Sequence, residues 1–203
     1  MQLANQNINN TVVQNAVYSY WVYENAIDKK ICQKIINLGK KKWIEGKVQN
    51  RLIDENWLDK KQRESDVSWS DDEWLYKICW QHLLDANKNA NWNFQISACE
   101  PMQITRYKKN GHYDFHFDGN GFTRMNMPED KFLHGNVRKL SMTIVLNENY
   151  EGGEFEFFHN GTIIKAKMGT IIVFPSYFVH RVRPVTKGTR YSLVAWFCGQ
   201  PFK

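Results

Sequence analysis

The sequence predicts a mainly β fold with flanking helices, a double-sheet jelly roll buttressed on one face by helices near the N-terminus. Three observations predict it. From Trp92 onward, short segments rich in Val, Ile, Thr and aromatic residues alternate with turn residues at regular spacing, the pattern of a β-sandwich or barrel. Two helical patterns stand ahead of them. The 203 residues contain no repeat, low-complexity tract or Pro/Gly/Ser linker, which fits one domain able to bury a sizeable core. That domain spans residues 1–203, with helical and strand support over 1–100 and the jelly-roll core over 101–203.

The first helix follows Asp28, whose carboxylate can cap it. Ile31, Ile35 and Leu38 share one face, and Gly39 ends it. Ser70 and Glu73 form a capping box before Trp74, Ile78 and Leu83, with Asp71 and Asp72 complementing the helix N-terminus. That second helix is expected to run to about Asn87. Strands are predicted at 94–98, 103–107, 113–118, 140–146, 154–158, 162–166, 170–174, 179–183 and 190–197. Asn110-Gly111, Asn160-Gly161 and Lys187-Gly188 sit between neighbouring runs, as hairpin turns require.

Composition narrows the classes of function. Eight tryptophans and an aromatic content of 14% argue against disorder. The polar start MQLANQNINN lacks the regions of a signal peptide, and the aromatic run from Ala16 to Tyr23 is too short to cross a bilayer. A soluble, cytoplasmic protein without a membrane partner is expected. Cys32, Cys79, Cys99 and Cys198 form no C-x-x-C pair and read as reduced, mostly buried thiols. The net charge of +6 permits anionic partners, nucleic acid included, but no stripe of Arg interleaved with aromatics supports that reading over a solvated face.

The chemistry lies in the strands. His116 and Asp118 are two apart in a predicted strand and so project from one face, with Phe115 and Phe117 free to bury on the other. His180 from a distant strand can complete a set of two histidines and one carboxylate. Such a set leaves half an octahedron open and suits iron(II) that binds a chelating co-substrate together with oxygen. The pair His112 and Asp114 fits the same spacing on the same face, and spacing alone does not choose between them. Lys187-Gly188 turns the chain so that a strand beginning near Arg190 can run back beside that of His180. Its planar guanidinium suits a carboxylate, and Arg181 and Arg183 are rivals placed too close to His180.

These residues occur in order within larger blocks: 107–118, 138–147, Tyr150-Glu-Gly-Gly-Glu154 and 174–196. Through them, from Arg63 to the end, the chain resembles the prolyl 4-hydroxylase-like branch of the iron(II)- and 2-oxoglutarate-dependent oxygenases. It is especially similar to the PKHD-type hydroxylases of bacteria and phages. The resemblance implies a double-stranded β-helix, and iron(II), 2-oxoglutarate and O2 as cofactors, with ascorbate as a further candidate. It selects His116, Asp118 and His180 as metal ligands. Tyr107 is then a hydrogen-bond donor to 2-oxoglutarate, Arg190 the partner of its distal carboxylate, Ser141 a lining residue of that pocket and Trp196 an aromatic beside the site. Arg63, Trp69 and Tyr113 become candidate substrate residues.

The reaction implied is hydroxylation of a C–H bond, by analogy a prolyl residue of a protein or peptide, with release of succinate and CO2. One departure is Asn110 where the family has glycine, a position Asn can hold in left-handed geometry. Another is Arg190 where collagen-type enzymes carry lysine. Nucleic-acid demethylation is the alternative of the same chemistry. The demethylases' second Arg, six residues after the anchoring one, is replaced here by Trp196. A non-catalytic jelly-roll binding module is the alternative of a different class. The Gly152-Gly153 pair reads as a turn without a catalytic role, His134 and His159 as solvated loop residues, and His82 as packed or exposed in the second helix. The Gly-rich polar stretch between Asp118 and Arg138 is expected to form a lid or binding loop, with the segment from Arg63 to Trp69 lining the same mouth.

Overall fold

The protein's computed structural model describes residues 17–50, 55–57 and 59–202. The sequence expectations for residues 1–16 lie outside the described residues. Two antiparallel sheets face each other. The larger runs in the order Trp21–Tyr23, Ile171–Pro175, Val137–Val145, Arg190–Gly199, Met102–Tyr107, Asp66–Ser70 and Ile44–Glu45, with Ala98–Cys99 paired to the end of Arg190–Gly199. The smaller runs Ile163–Ile164, Phe155–Phe157, His180–Val182, His112–His116 and Arg63–Glu64. This is a jelly roll, as the strand spacing predicts.

Strand periodicity sorts the side chains. Along Arg190–Gly199, Leu193, Ala195 and Phe197 face the helices and join the main core. Arg190, Ser192, Val194 and Trp196 alternate with them and turn towards the smaller sheet, the consequence of a period of two. Between the sheets Tyr107, Phe155, Phe157, Ile172, Phe174, Val182 and Val185 form a second core, rich in aromatics in edge and stacked contact. On the far side of the larger sheet, helix α1 (Lys29–Gly39) and helix α2 (Glu73–Asn89) bury Ile35, Leu75, Cys79 and Leu83 against Ile104 and Ile144. Each such aliphatic contributes about 1.5–3 kcal/mol by leaving water. Asp28 caps α1 as predicted, accepting from the Ile31 amide at 2.9 Å.

Several expectations are corrected. The capping box at Ser70 does not form. Asp72 is the residue before α2, and Ser70 ends a strand, its hydroxyl donating to the Asp72 carboxylate at 2.6 Å instead. Asn110-Gly111 is no hairpin, because the strands on either side of it belong to different sheets; Asn110 does take left-handed geometry, with φ 71°. The strand Arg190–Gly199 does not run beside His180–Val182. It crosses to the larger sheet between Met102–Tyr107 and Val137–Val145, and Val185–Gly188 pairs with Tyr150–Gly152 on the way. Strand formation also begins well before Trp92, at Trp21–Tyr23 and Asp66–Ser70, which extend the larger sheet on both sides. Asn160-Gly161 does join two paired strands. Cys32, Cys79 and Cys99 are free thiols, and burial pushes Cys32 up to about 11 and Cys79 to about 12, so these two are inert. No helix among the described residues is long and apolar enough to cross a membrane.

Candidate active site

The register of the smaller sheet brings the two histidines together. His116 lies directly opposite His180 across the antiparallel pair, and their ring centroids are 4.3 Å apart. Asp118 lies just past the end of its strand rather than within it. It is held there because its amide, like that of Gly119, donates to the Ser176 carbonyl, at 2.9 and 3.0 Å. The Asp118 carboxylate stands 3.8 Å from His116 Nε2 and 3.7 Å from His180 Nε2. These separations are too long for hydrogen bonds and leave room for an ion. Among the described residues these three are the one metal-ligand cluster, their donor atoms all within 4.8 Å of one another.

Both imidazoles are oriented from behind. His116 Nδ1 is 2.7 Å from the Asp114 carbonyl and His180 Nδ1 is 2.8 Å from that of Phe178. A carbonyl only accepts, so Nδ1 carries the proton and each Nε2 lone pair points into the cluster, the tautomer a metal ligand needs. Burial, then the neighbouring His180, brings the His116 pKa down to about 3, so it stays neutral. Burial pushes the Asp118 carboxyl up, but His180, His116 and Arg138 outweigh it and hold the group at about 2. Two imidazoles with one ionised carboxylate are the donor set for a divalent transition metal.

His112 and Asp114, the rival pair, are engaged elsewhere. His112 has one ring nitrogen 3.0 Å from the Asn110 carbonyl and the other 3.0 Å from that of Lys61. Only the imidazolium satisfies both acceptors. Burial lowers its pKa, yet the two carbonyls together with Glu64 and Asp114 raise it above the ordinary value of 6.5. A raised folded pKa stabilises fully below the unfolded value and fades as pH climbs through the folded one. His112→Gln is therefore expected to lower the melting temperature more at pH 6 than at pH 9; equal losses would refute the cationic bridge. Asp114 is exposed and accepts from the Phe115 amide.

Phe115 and Phe117 do not bury behind the metal ligands. Both line the cavity, and Phe117 is 51% exposed. Phe115 packs instead on exposed Phe158 and beneath the Arg181 guanidinium.

On the facing sheet Arg190 is 1% exposed. It pairs in register with Tyr107, its Cζ is 5.6 Å from that ring's centre, and Nη1 donates to the Ser192 hydroxyl at 3.0 Å. Its Nε has no partner, nor does Trp196 Nε1. Such buried orphan donors are costly unless a ligand supplies the acceptor. They fit an acidic co-substrate, as the three ligand side chains fit the metal.

A cavity of about 800 Å³ opens over the triad, lined by Tyr107, Tyr113, Trp69, Arg63, Ser192 and Trp196 among others. Ser141 is fully buried behind it, sharing a hydrogen bond with Ser176 at 2.9 Å. The 119–136 segment is packed rather than open. The Asn120 side chain holds the Phe122 and Thr123 amides, Leu133 is buried, and Asn120 and Thr123 reach the cavity wall.

Two site residues escape sequence reasoning. Ser192 had a signal, since it lies two after Arg190 on the same strand face. Arg138 had none in spacing: it pairs with Glu100, donates to the Asp118 carbonyl at 3.2 Å and lies over the Trp196 ring at 3.9 Å.

Gly153 has a tighter role than a simple turn. A Cβ there would stand 2.9 Å from Arg190 Cδ and 3.0 Å from Val185 Cγ2. Gly161 has the same left-handed geometry with nothing within 4 Å. Gly153→Ala is expected to weaken 2-oxoglutarate binding about tenfold or more by displacing the guanidinium. Gly161→Ala carries only the strain of about 1–2 kcal/mol and should leave that binding unchanged. Equal effects on binding would show that the contact with Arg190 is irrelevant.

Residues 102–198 match the family model of the 2OG-Fe(II) oxygenase superfamily. A PKHD-type hydroxylase of Aliarcobacter butzleri is 30% identical over 174 residues, covering 81% of this chain and 70% of the relative. The chain belongs to the 2OG-Fe(II) oxygenase superfamily. A PKHD-type hydroxylase of Xylella fastidiosa is 28% identical over 73% of this chain and 71% of its own length. Among solved structures, the viral collagen prolyl hydroxylase of Paramecium Bursaria Chlorella virus-1 in its 2OG complex shares the fold. The TM-score is 0.66 at 21% identity, covering 90% of this chain and 97% of that one. A Pseudomonas putida prolyl-4-hydroxylase superposes with a TM-score of 0.61 at 18% identity, covering 89% and 92%. As a member of that superfamily the protein is an oxidoreductase of the iron(II), 2-oxoglutarate and O2 type, with a His-Asp-His site on the expected jelly roll.

Proposed function

We propose that this oxygenase hydroxylates a prolyl residue of a protein or peptide, converting 2-oxoglutarate to succinate and CO2, with His116, Asp118 and His180 as its iron ligands. The observation that carries the assignment is the pairing of a two-histidine, one-carboxylate cluster with Arg190, a buried arginine that has no acidic partner among the described residues. Iron(II) with 2-oxoglutarate and O2 supplies the oxidation of the C–H bond. The chain's own residues do the rest. Asp118 stays ionised and His116 stays neutral. Arg190, with Ser192 and Tyr107, holds the distal carboxylate of the co-substrate. Phe155, Phe174 and Val182 line the cavity with apolar surface that excludes water. Trp69, Tyr113 and Arg63 present a wall to the substrate.

The prolyl reading draws on the names of the solved structures that share the fold. Nucleic-acid demethylation is less well supported, because Trp196 packs under Arg138 where a second anchoring arginine would stand. Incubation of the protein with iron(II), 2-oxoglutarate and a library of proline-containing peptides tests the proposal. The expected result is iron-dependent succinate and a one-oxygen mass gain on proline. Succinate with oxygen gained elsewhere would reject the prolyl substrate and keep the oxygenase.

A further inference from the structure

A second buried arginine, on the wall of the cavity, is built like Arg190. Arg63 and Ser65 are two apart, as are Arg190 and Ser192, and in each pair the guanidinium donates to the serine hydroxyl, at 2.8 Å from Arg63 Nε. Arg63 is 8% exposed, its Nη1 donates to the Lys47 carbonyl at 3.1 Å, and its Nη2 is buried with no partner among the described residues. The guanidinium lies 4.6 Å from the centre of the Tyr113 ring, which itself stacks on His116 at 3.5 Å. Arg63 is thus one ring away from the metal ligands, on the cavity wall.

What sets it apart is charge. Arg106 pairs with Asp66, Arg138 with Glu100, and Arg181 and Arg183 share Glu156. Arg124 is exposed. Among the described residues, Arg63 and Arg190 are the two arginines out of water that have no carboxylate within ion-pair distance. Glu45, which also lines the cavity, is taken by Lys60 at 3.2 Å. With the site loaded, iron(II) and Arg190 balance Asp118 and the two carboxylates of 2-oxoglutarate. The charge on Arg63 is left over, and an unpaired buried charge is expensive.

We infer that Arg63, seated on Ser65, receives a carboxylate that the substrate carries close to the carbon being oxidised. The inference rests on the oxygenase reading and narrows its substrate class to anionic ones. The carboxylate comes from an acidic side chain beside the target residue or from a free C-terminus. A guanidinium whose Nη2 has no partner among the described residues can donate to either source through a charge-assisted bond.

Binding to the wild-type protein loaded with manganese(II) and 2-oxoglutarate, without oxygen, tests it by calorimetry. The probes are blocked proline peptides with Glu, Gln or Lys immediately before or after the proline, and a Gln peptide ending in a free proline carboxylate. A carboxylate-bearing peptide is expected to bind at least about tenfold more tightly than its amide counterpart, the range of a charge-assisted hydrogen bond. The Lys peptides should bind most weakly. Which carboxylate peptide binds identifies the source. In Arg63→Gln the gap should fall below about twofold, and Arg63→Lys should keep part of it. Equal binding of acidic and amide peptides, no binding by any of them, or a gap that survives in Arg63→Gln overturns the inference. Succinate formation by the wild-type protein separates the two failures. Without succinate the oxygenase reading itself falls; with succinate but no acidic preference, the role of Arg63 alone falls.

Discussion

Replacing His180 with alanine is expected to abolish iron-dependent turnover of 2-oxoglutarate and to weaken iron(II) binding by at least about a hundredfold. The magnitude follows from the coordination. Loss of a group that merely orients a ligand already costs ten- to a hundredfold in metal affinity or activity, and here one of three ligands goes. His180 is 4% exposed, its Nδ1 is fixed by the Phe178 carbonyl, and it faces His116 in register, so no described residue can take its place. Fold damage should be modest in the metal-free protein, because the deletion also relieves two imidazoles crowded at 4.3 Å. Metal affinity measured by equilibrium dialysis, beside a melting curve, separates lost ligation from lost structure. Unimpaired iron(II) binding would remove His180 from the site.

Arg190→Met should act on the co-substrate instead. Truncating one partner of a buried, hydrogen-bonded charge pair costs about 2–5 kcal/mol, which puts the rise in the 2-oxoglutarate KM at about thirtyfold or more. The same substitution removes a 1% exposed guanidinium whose Nε has no partner in the free protein. An apolar residue of similar volume suits such a site as well or better. The melting temperature of the free protein should therefore hold or rise while co-substrate affinity collapses. Steady-state kinetics over a wide range of 2-oxoglutarate, together with melting with and without it, checks both halves. A KM unchanged from wild type would mean that the distal carboxylate binds elsewhere.

Much of this architecture was legible in the chain. The period-two texture after Trp92 marked the jelly roll, and Asp28 announced its helix. What failed has a physical cause. The partner of a strand is not written in the turn before it, so Arg190 is expected beside His180 when its strand lies in the opposite sheet. The site is assembled across the gap between two sheets, and neighbour-in-sequence reasoning sees one sheet at a time. The choice between the two H-x-D pairs needed what spacing lacks, the carbonyls of Lys61 and Asn110 that occupy His112 on both sides. Arg138 was hidden because its two partners, Glu100 and Trp196, come from segments distant in sequence. The unpaired state of Arg63 was equally invisible, since it is a property of what fails to surround the residue.

The most direct measurement is an anaerobic titration of the protein with iron(II) and 2-oxoglutarate, followed by visible absorption. The account predicts that a charge-transfer band of the chelated co-substrate grows in the wild-type protein and is missing in Asp118→Ala. A band of full intensity in Asp118→Ala, or none in the wild type, would contradict it.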